Sequence, residues 1–185
     1  MMLNLLGLSL VVVCSIPTVI SGPLVQSSGK LKSLNISGCY ISKEMIDIPS
    51  SKKKVLAVTW LKIKKITNAK NKYYVIGNIT GAYMNICSIQ GENGPLQMEY
   101  KNNSLNYREA MEWKDNNKTV KRKCHLKIKF LKNKITTEDV GGDYNCTRYV
   151  FSCGNHVSLS DLTFSLSKKT KMKACNKMIN KHSKK

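Results

Sequence analysis

The chain has 185 residues, with 31 lysines and arginines against 11 acids, and a formal net charge of +20. That length allows one domain with a substantial core plus extensions. The charge excludes an acidic solvating chain and directs attention to polyanionic partners. Residues 1–21 contain no charged side chain, and Val19 and Ser21 fit a small-residue cleavage pattern. They read as a secretory signal peptide cut near Ser21, in preference to an uncleaved anchor. No second apolar run reaches spanning length. About 164 residues then form an exported, soluble product. Residues 22–69 are expected to be an N-terminal extension with one or two short strands tied down by Cys39. Within it, V-L-A-V-T-W-L-K-I-K-K-I is β-branched and aromatic, a strand buried on both faces at its start, with Trp60 a candidate core residue.

The run from Tyr73 to Ile89 is β-rich, is interrupted by Gly77 and Gly81, and ends at the breaker cluster Gly91–Pro95. L-Q-M-E-Y-K reads as a short strand, S-L-N-Y-R-E-A-M-E-W-K as a strand or helical turn, and D-N-N-K as a turn. Leu126, Ile128 and Phe130 alternate with Lys127 and Lys129, which makes one face apolar and the other charged. Glu138, Asp139, Gly141 and Gly142 supply turn chemistry. Tyr144 and Cys146 are two apart and so share a face of the next predicted strand, which T-R-Y-V-F-S-C continues. Gly154-Asn155-His156 is a predicted hairpin tip, and Leu162, Phe164 and Leu166 line one side of a last strand.

The closing residues 169–185 are a basic tail, either disordered or a short helix pinned by Cys175. Its lysines and the one before it, Lys168, Lys169, Lys171, Lys173, Lys177, Lys181, Lys184 and Lys185, are candidates for binding polyanions by summed charge. In an exported protein those are sulfated glycans and cell surfaces, with no role for nucleic acid.

Removing Cys14 with the signal leaves Cys39, Cys87, Cys124, Cys146, Cys153 and Cys175. An even count in an exported chain implies up to three disulfides, with fifteen possible pairings. No C-x-x-C spacing occurs, so zinc is not expected. Asn-x-Ser/Thr sequons stand at Asn35, Asn78, Asn102, Asn117 and Asn145, which predicts a glycoprotein with those positions on the surface. The excess of lysine, asparagine and isoleucine also fits a biased codon usage.

An acidic residue and glycine before Tyr-x-Cys, here Asp139, Gly141, Tyr144 and Cys146, resemble the corner of an immunoglobulin domain. Cys87 lies 59 residues before Cys146, and Tyr100 lies 13 after Cys87. These resemble that family's first core cysteine and core aromatic. The resemblance covers residues 70–168. It implies an all-β, immunoglobulin-like antiparallel β-sandwich stapled by Cys87–Cys146, with Tyr144 bonded back to the corner. Cys39 with Cys146 and Trp60 is the alternative pairing. A weaker resemblance, carried by I-T-G-A-Y, T-W and D-V-G-G-D-Y-N-C-T-R, is to avidin-type barrels, without biotin binding.

His125, His156 and His182 show no ligand spacing, and no H-E-x-x-H, G-x-S-x-G or phosphate loop occurs, so neither an enzyme nor a cofactor is expected. The functional expectation is a secreted binding protein. It resembles the immunoglobulin-like decoys of large DNA viruses, which capture host cytokines or block immune receptors. A secreted cytokine-like or venom-like effector acting on a cell-surface receptor is the other class.

Overall fold

The computed structural model describes residues 35–48, 53–81, 85–141, 145–151, 153–154 and 157–182. They belong to one compact unit, Asn35–Lys185. Nine antiparallel strands make it: β1 Gly38–Ile48, β2 Lys53–Lys65, β3 Lys72–Thr80, β4 Ile86–Ile89, β5 Leu96–Lys101, β6 Ser104–Asp115, β7 Lys118–Phe130, β8 Lys134–Asp139 and β9 Thr163–Ser165. One helix, α1 (Met172–His182), follows. The all-β expectation holds.

The strands lie side by side in chain order, except that β4 and β5 share one edge of β3. The sheet nearly closes, because Cys39 of β1 bridges Thr170, five residues after β9, through hydrogen bonds of 3.1 and 2.9 Å. β2, β3, β4, β5, β7 and β8 keep the period-2 alternation, so one face forms a common interior, whereas β1 and β6 bury only their first residues. Ala57, Thr59, Leu61 and Ile63 of β2 face inward, and so do Cys124, Leu126, Ile128 and Phe130 of β7. Tyr40, Val75, Ile89, Met98, Leu105, Ile135, Leu159 and Phe164 complete this interior. Gly77 lies at a close approach of two strands. A Cβ there would stand 3.0 Å from both Leu61 Cδ1 and the Trp60 carbonyl.

Asparagine makes several of the tight connections. Asn102-Asn103 and Asn116-Asn117 are two-residue hairpin loops with all four φ values between 47° and 63°. That left-handed pair defines a type I′ turn, and asparagine tolerates it better than most side chains. Among the described residues, seven non-glycine residues have positive φ, and six of them are asparagine. The asparagine excess therefore has a structural use beyond codon bias.

Several expectations are corrected. β1 and β2 are integral strands of the sheet, so residues 35–69 are not an extension to a domain beginning at residue 70. β2 pairs with both β1 and β3, which ties the two strands into the sheet. β2 begins exposed instead of doubly buried, and Trp60 is half-buried on the outer face with Lys62 Nζ 4.7 Å above its ring. The run after Asn145 is a helical turn, Cys146–Val150, and not a strand. The buried Asp139 carboxylate accepts the Cys146 and Thr147 backbone N–H groups, which a strand would have offered to a ladder.

The implied Cys87–Cys146 staple is not formed. Cys124 of β7 bonds Cys146, Cys87 of β4 bonds Cys153, and Cys39 bonds Cys175. The β7–β8 hairpin returns the chain beside Cys124, which brings the Cα atoms of Cys124 and Cys146 to 4.6 Å. The helical turn then carries Cys153 to within 4.4 Å of Cys87, both inside the bridging range. Tyr144 lies outside the described residues.

Candidate functional site

Helix α1, at the lysine-rich end, is joined covalently to β1 through Cys39–Cys175. In α1, Met172, Cys175, Met178 and Ile179 fall on one side at helical spacing and are buried or half-buried. Lys173 and Lys177, four apart, stand exposed on another side. The first turn holds no acid, and cations there oppose the helix dipole. The Cys39–Cys175 disulfide and the half-apolar face offset that repulsion.

Of the predicted polyanion ligands, Lys168, Lys171, Lys173 and Lys177 are exposed. Lys169 is committed elsewhere. Its stem crosses Gly38, where a Cβ would meet it at 2.5 Å, and its Nζ donates to the Asn35 carbonyl. The side chain of Lys181, and Lys184 and Lys185, lie outside the described residues.

A second basic surface escaped the sequence reading. Lys72 of β3, Lys101 of β5, Arg108 of β6 and Lys127 of β7 line an outer groove of about 620 Å³, together with Gln97, Glu99, Asn102 and Asn106. Pairing sets Lys72 opposite Glu99, Glu99 opposite Asn106, and Asn106 opposite Lys127 in a single row across the strands. Four cations against one carboxylate leave a local charge of +3. Among the described residues, ion pairs join Lys54 to Asp47, Lys121 to Glu112 and Lys129 to Glu138, so none of the groove cations sits in an ion pair, and Lys127 alone has a further carboxylate, Glu138, opposite it. The alternation of β7 gave Lys127 away in the sequence. Its neighbours could come only from the register of three other strands.

His125 stands beside this groove, with Nε2 3.2 Å from Asn106 Oδ1. Burial, and the cations Arg108 and Lys127, hold its pKa below the ordinary value, with Glu138 opposing. Cys124, its neighbour, faces inward and is disulfide-bonded, so the two do not form a thiol–imidazole pair. His156 and the side chain of His182 lie outside the described residues.

The sequons are not equivalent. Asn102 and Asn117 are exposed in hairpin turns, and Asn35 is exposed with its Oδ1 accepting the Ser37 N–H at 3.1 Å. Asn78 is half-buried on the outer face of β3, between Trp60 and Ser88 in register. Asn145 contradicts the surface expectation. It is buried, and its Nδ2, the atom a glycan would take, donates to the Lys123 carbonyl at 3.3 Å.

Among the described residues, no helix is long and apolar enough to cross a membrane. The fold and its surfaces define a three-disulfide, all-β chain with two separate basic faces. No family model, curated protein or solved structure matches it.

Proposed function

We propose that this is an exported binding protein that attaches to sulfated glycans through the lysines on and before α1 and presents its remaining surface to a host protein. The carrying observation is the Cys39–Cys175 bond, which fixes a helix bearing Lys173 and Lys177 to the sheet. A solvated tail needs no such anchor. Three disulfides in one compact unit suit an oxidising compartment. The cross-strand pair Met45 and Leu56, 53 % and 39 % exposed, offers an apolar contact for a protein partner. A host cytokine or immune-receptor protein is the partner class of this reading. Glycan attachment is the half that the anchored lysines support.

Retention on a sulfated-glycan resin tests that half. The triple variant Lys171→Gln, Lys173→Gln, Lys177→Gln should elute at clearly lower salt than the native chain, because a charge-summed contact weakens with each cation lost. Elution of both at the same salt would refute attachment through α1.

A further inference from the structure

We infer that the groove across β3, β5, β6 and β7 is a second ligand site, which takes an extended acidic saccharide. This goes beyond the α1 reading and does not need it. In the order of the sheet, β2 separates the groove from β1 on one side, and β8 separates it from β9 on the other. Helix α1 is bonded at the β1 end. β2 on one side and β8 on the other thus lie between the two basic faces, which makes them distinct surfaces of the sheet.

Three features select the ligand class. First, the cations are spread out. Lys72 and Lys127 are three strand spacings apart, which is ~14 Å at the usual separation. One small anion does not reach across that width, but a chain of charged units does. Second, neutral polar groups stand among the cations, with the Gln97 amide turned outward, while the Asn106 amide is already held by the Ser104 carbonyl and His125. Amides donate and accept, which suits hydroxyl-bearing rings better than a bare run of charge. Third, Glu99 sits among the cations. A carboxylate repels a ligand that is anionic at every point, yet accepts hydrogen bonds from sugar hydroxyls between the charged groups. An acidic peptide satisfies the first feature and wastes the other two.

Arg108 is the fork-shaped donor of the set, able to hold a sulfate or carboxylate through two N–H groups. Lys72, Lys101 and Lys127 act as point charges around it. Asn102, at the rim, is also a sequon, so a glycan there would stand beside the groove mouth.

Lysine-reactive acetylation of the full, disulfide-intact chain, read by mass spectrometry, tests the proposal. The probe is a sulfated hexasaccharide of defined sequence. Lys72, Lys101 and Lys127 should be protected, with Lys54 as the unprotected reference. Protection should persist in Lys173→Gln, Lys177→Gln, which keeps failure of the α1 reading distinct from failure of this one. In Arg108→Gln, Lys127→Gln, protection of Lys72 and Lys101 should fall, and affinity measured on the Lys173→Gln, Lys177→Gln background should drop roughly tenfold, the effect of removing two surface cations. A circular-dichroism melt matching the parent shows that these outward substitutions leave the fold intact. Absence of protection at the three lysines would overturn the site. Equal protection by inorganic sulfate or by polyglutamate would overturn the saccharide assignment.

Discussion

The Asp139 carboxylate grips Thr147 twice, taking its backbone N–H at 3.0 Å and its hydroxyl at 3.1 Å. The same carboxylate accepts the Cys146 N–H at 3.3 Å. Thr147 Oγ1 in turn accepts the Leu159 N–H at 3.4 Å, so one acid organises the turn that carries Cys146 and the strand-like segment behind it.

Replacing Asp139 with alanine strips buried donors of their acceptor. Each such group costs about 1–3 kcal/mol when left unpaired. The variant Asp139→Ala should lose about 3 kcal/mol or more of unfolding free energy. Denaturant melts with the disulfides intact will measure it. A change within 0.5 kcal/mol, roughly that of an ordinary surface substitution, would show that water replaces the carboxylate.

The Cys39–Cys175 bond closes a span of 136 residues. A loop of that size restricts the unfolded chain by about 5 kcal/mol in the chain-entropy account. Cys39→Ser, Cys175→Ser should lower the melting temperature and expose the α1 amides to hydrogen exchange, while β6 and β7 keep their protection. Equal exchange in α1 with and without the bond would mean that its apolar face alone holds the helix.

Glycan mapping should divide the sequons by exposure. Enzymatic deglycosylation in heavy-oxygen water should convert Asn102 and Asn117 to labelled aspartate and leave Asn145 unlabelled. Nδ2 of Asn145 is tied to the Lys123 carbonyl, and the residue after it is the disulfide-bonded Cys146. A labelled residue 145 in folded protein would contradict this packing.

His125 makes stability depend on mild acid. Burial and then the Arg108 and Lys127 charges lower its pKa from the ordinary 6.5. A depressed value means that the unfolded chain binds the proton first. The contribution is therefore present above pH 6.5 and lost as pH falls through the folded pKa. An NMR titration should place the imidazole midpoint below 6.5, and Arg108→Gln should raise it. A midpoint unmoved by Arg108→Gln would assign the shift to burial alone.

Alternation was the legible part of this chain. Leu126, Ile128 and Phe130 face the interior, and Lys127 and Lys129 face outward, as five consecutive residues announce. Phe164 is buried as its pattern requires. Pairing was not legible, because it depends on which strands become neighbours across long stretches of chain. The Cys87–Cys146 spacing was a coincidence of count, while Cys153 lay seven residues further along a turn that Asp139 creates. A buried phenol is present at Tyr40. That hydroxyl donates to the Ile36 carbonyl at 2.8 Å, and burial pushes its pKa up to about 12. Tyr40 is fully buried, but no local pattern around Cys39 marks it out. The groove stayed hidden for the same reason as the disulfides, since its four cations come from four strands.

The sulfur bridge between residues 39 and 175 makes a covalent ring of nearly everything between them. A protease that severs one exposed hairpin tip, at Asn102 or at Asn117, would release no fragment. Both pieces would travel together, heavier only by the water added at the cut, until a reductant separated them. Such a molecule can be nicked in a hostile fluid and still carry its two basic faces as one object.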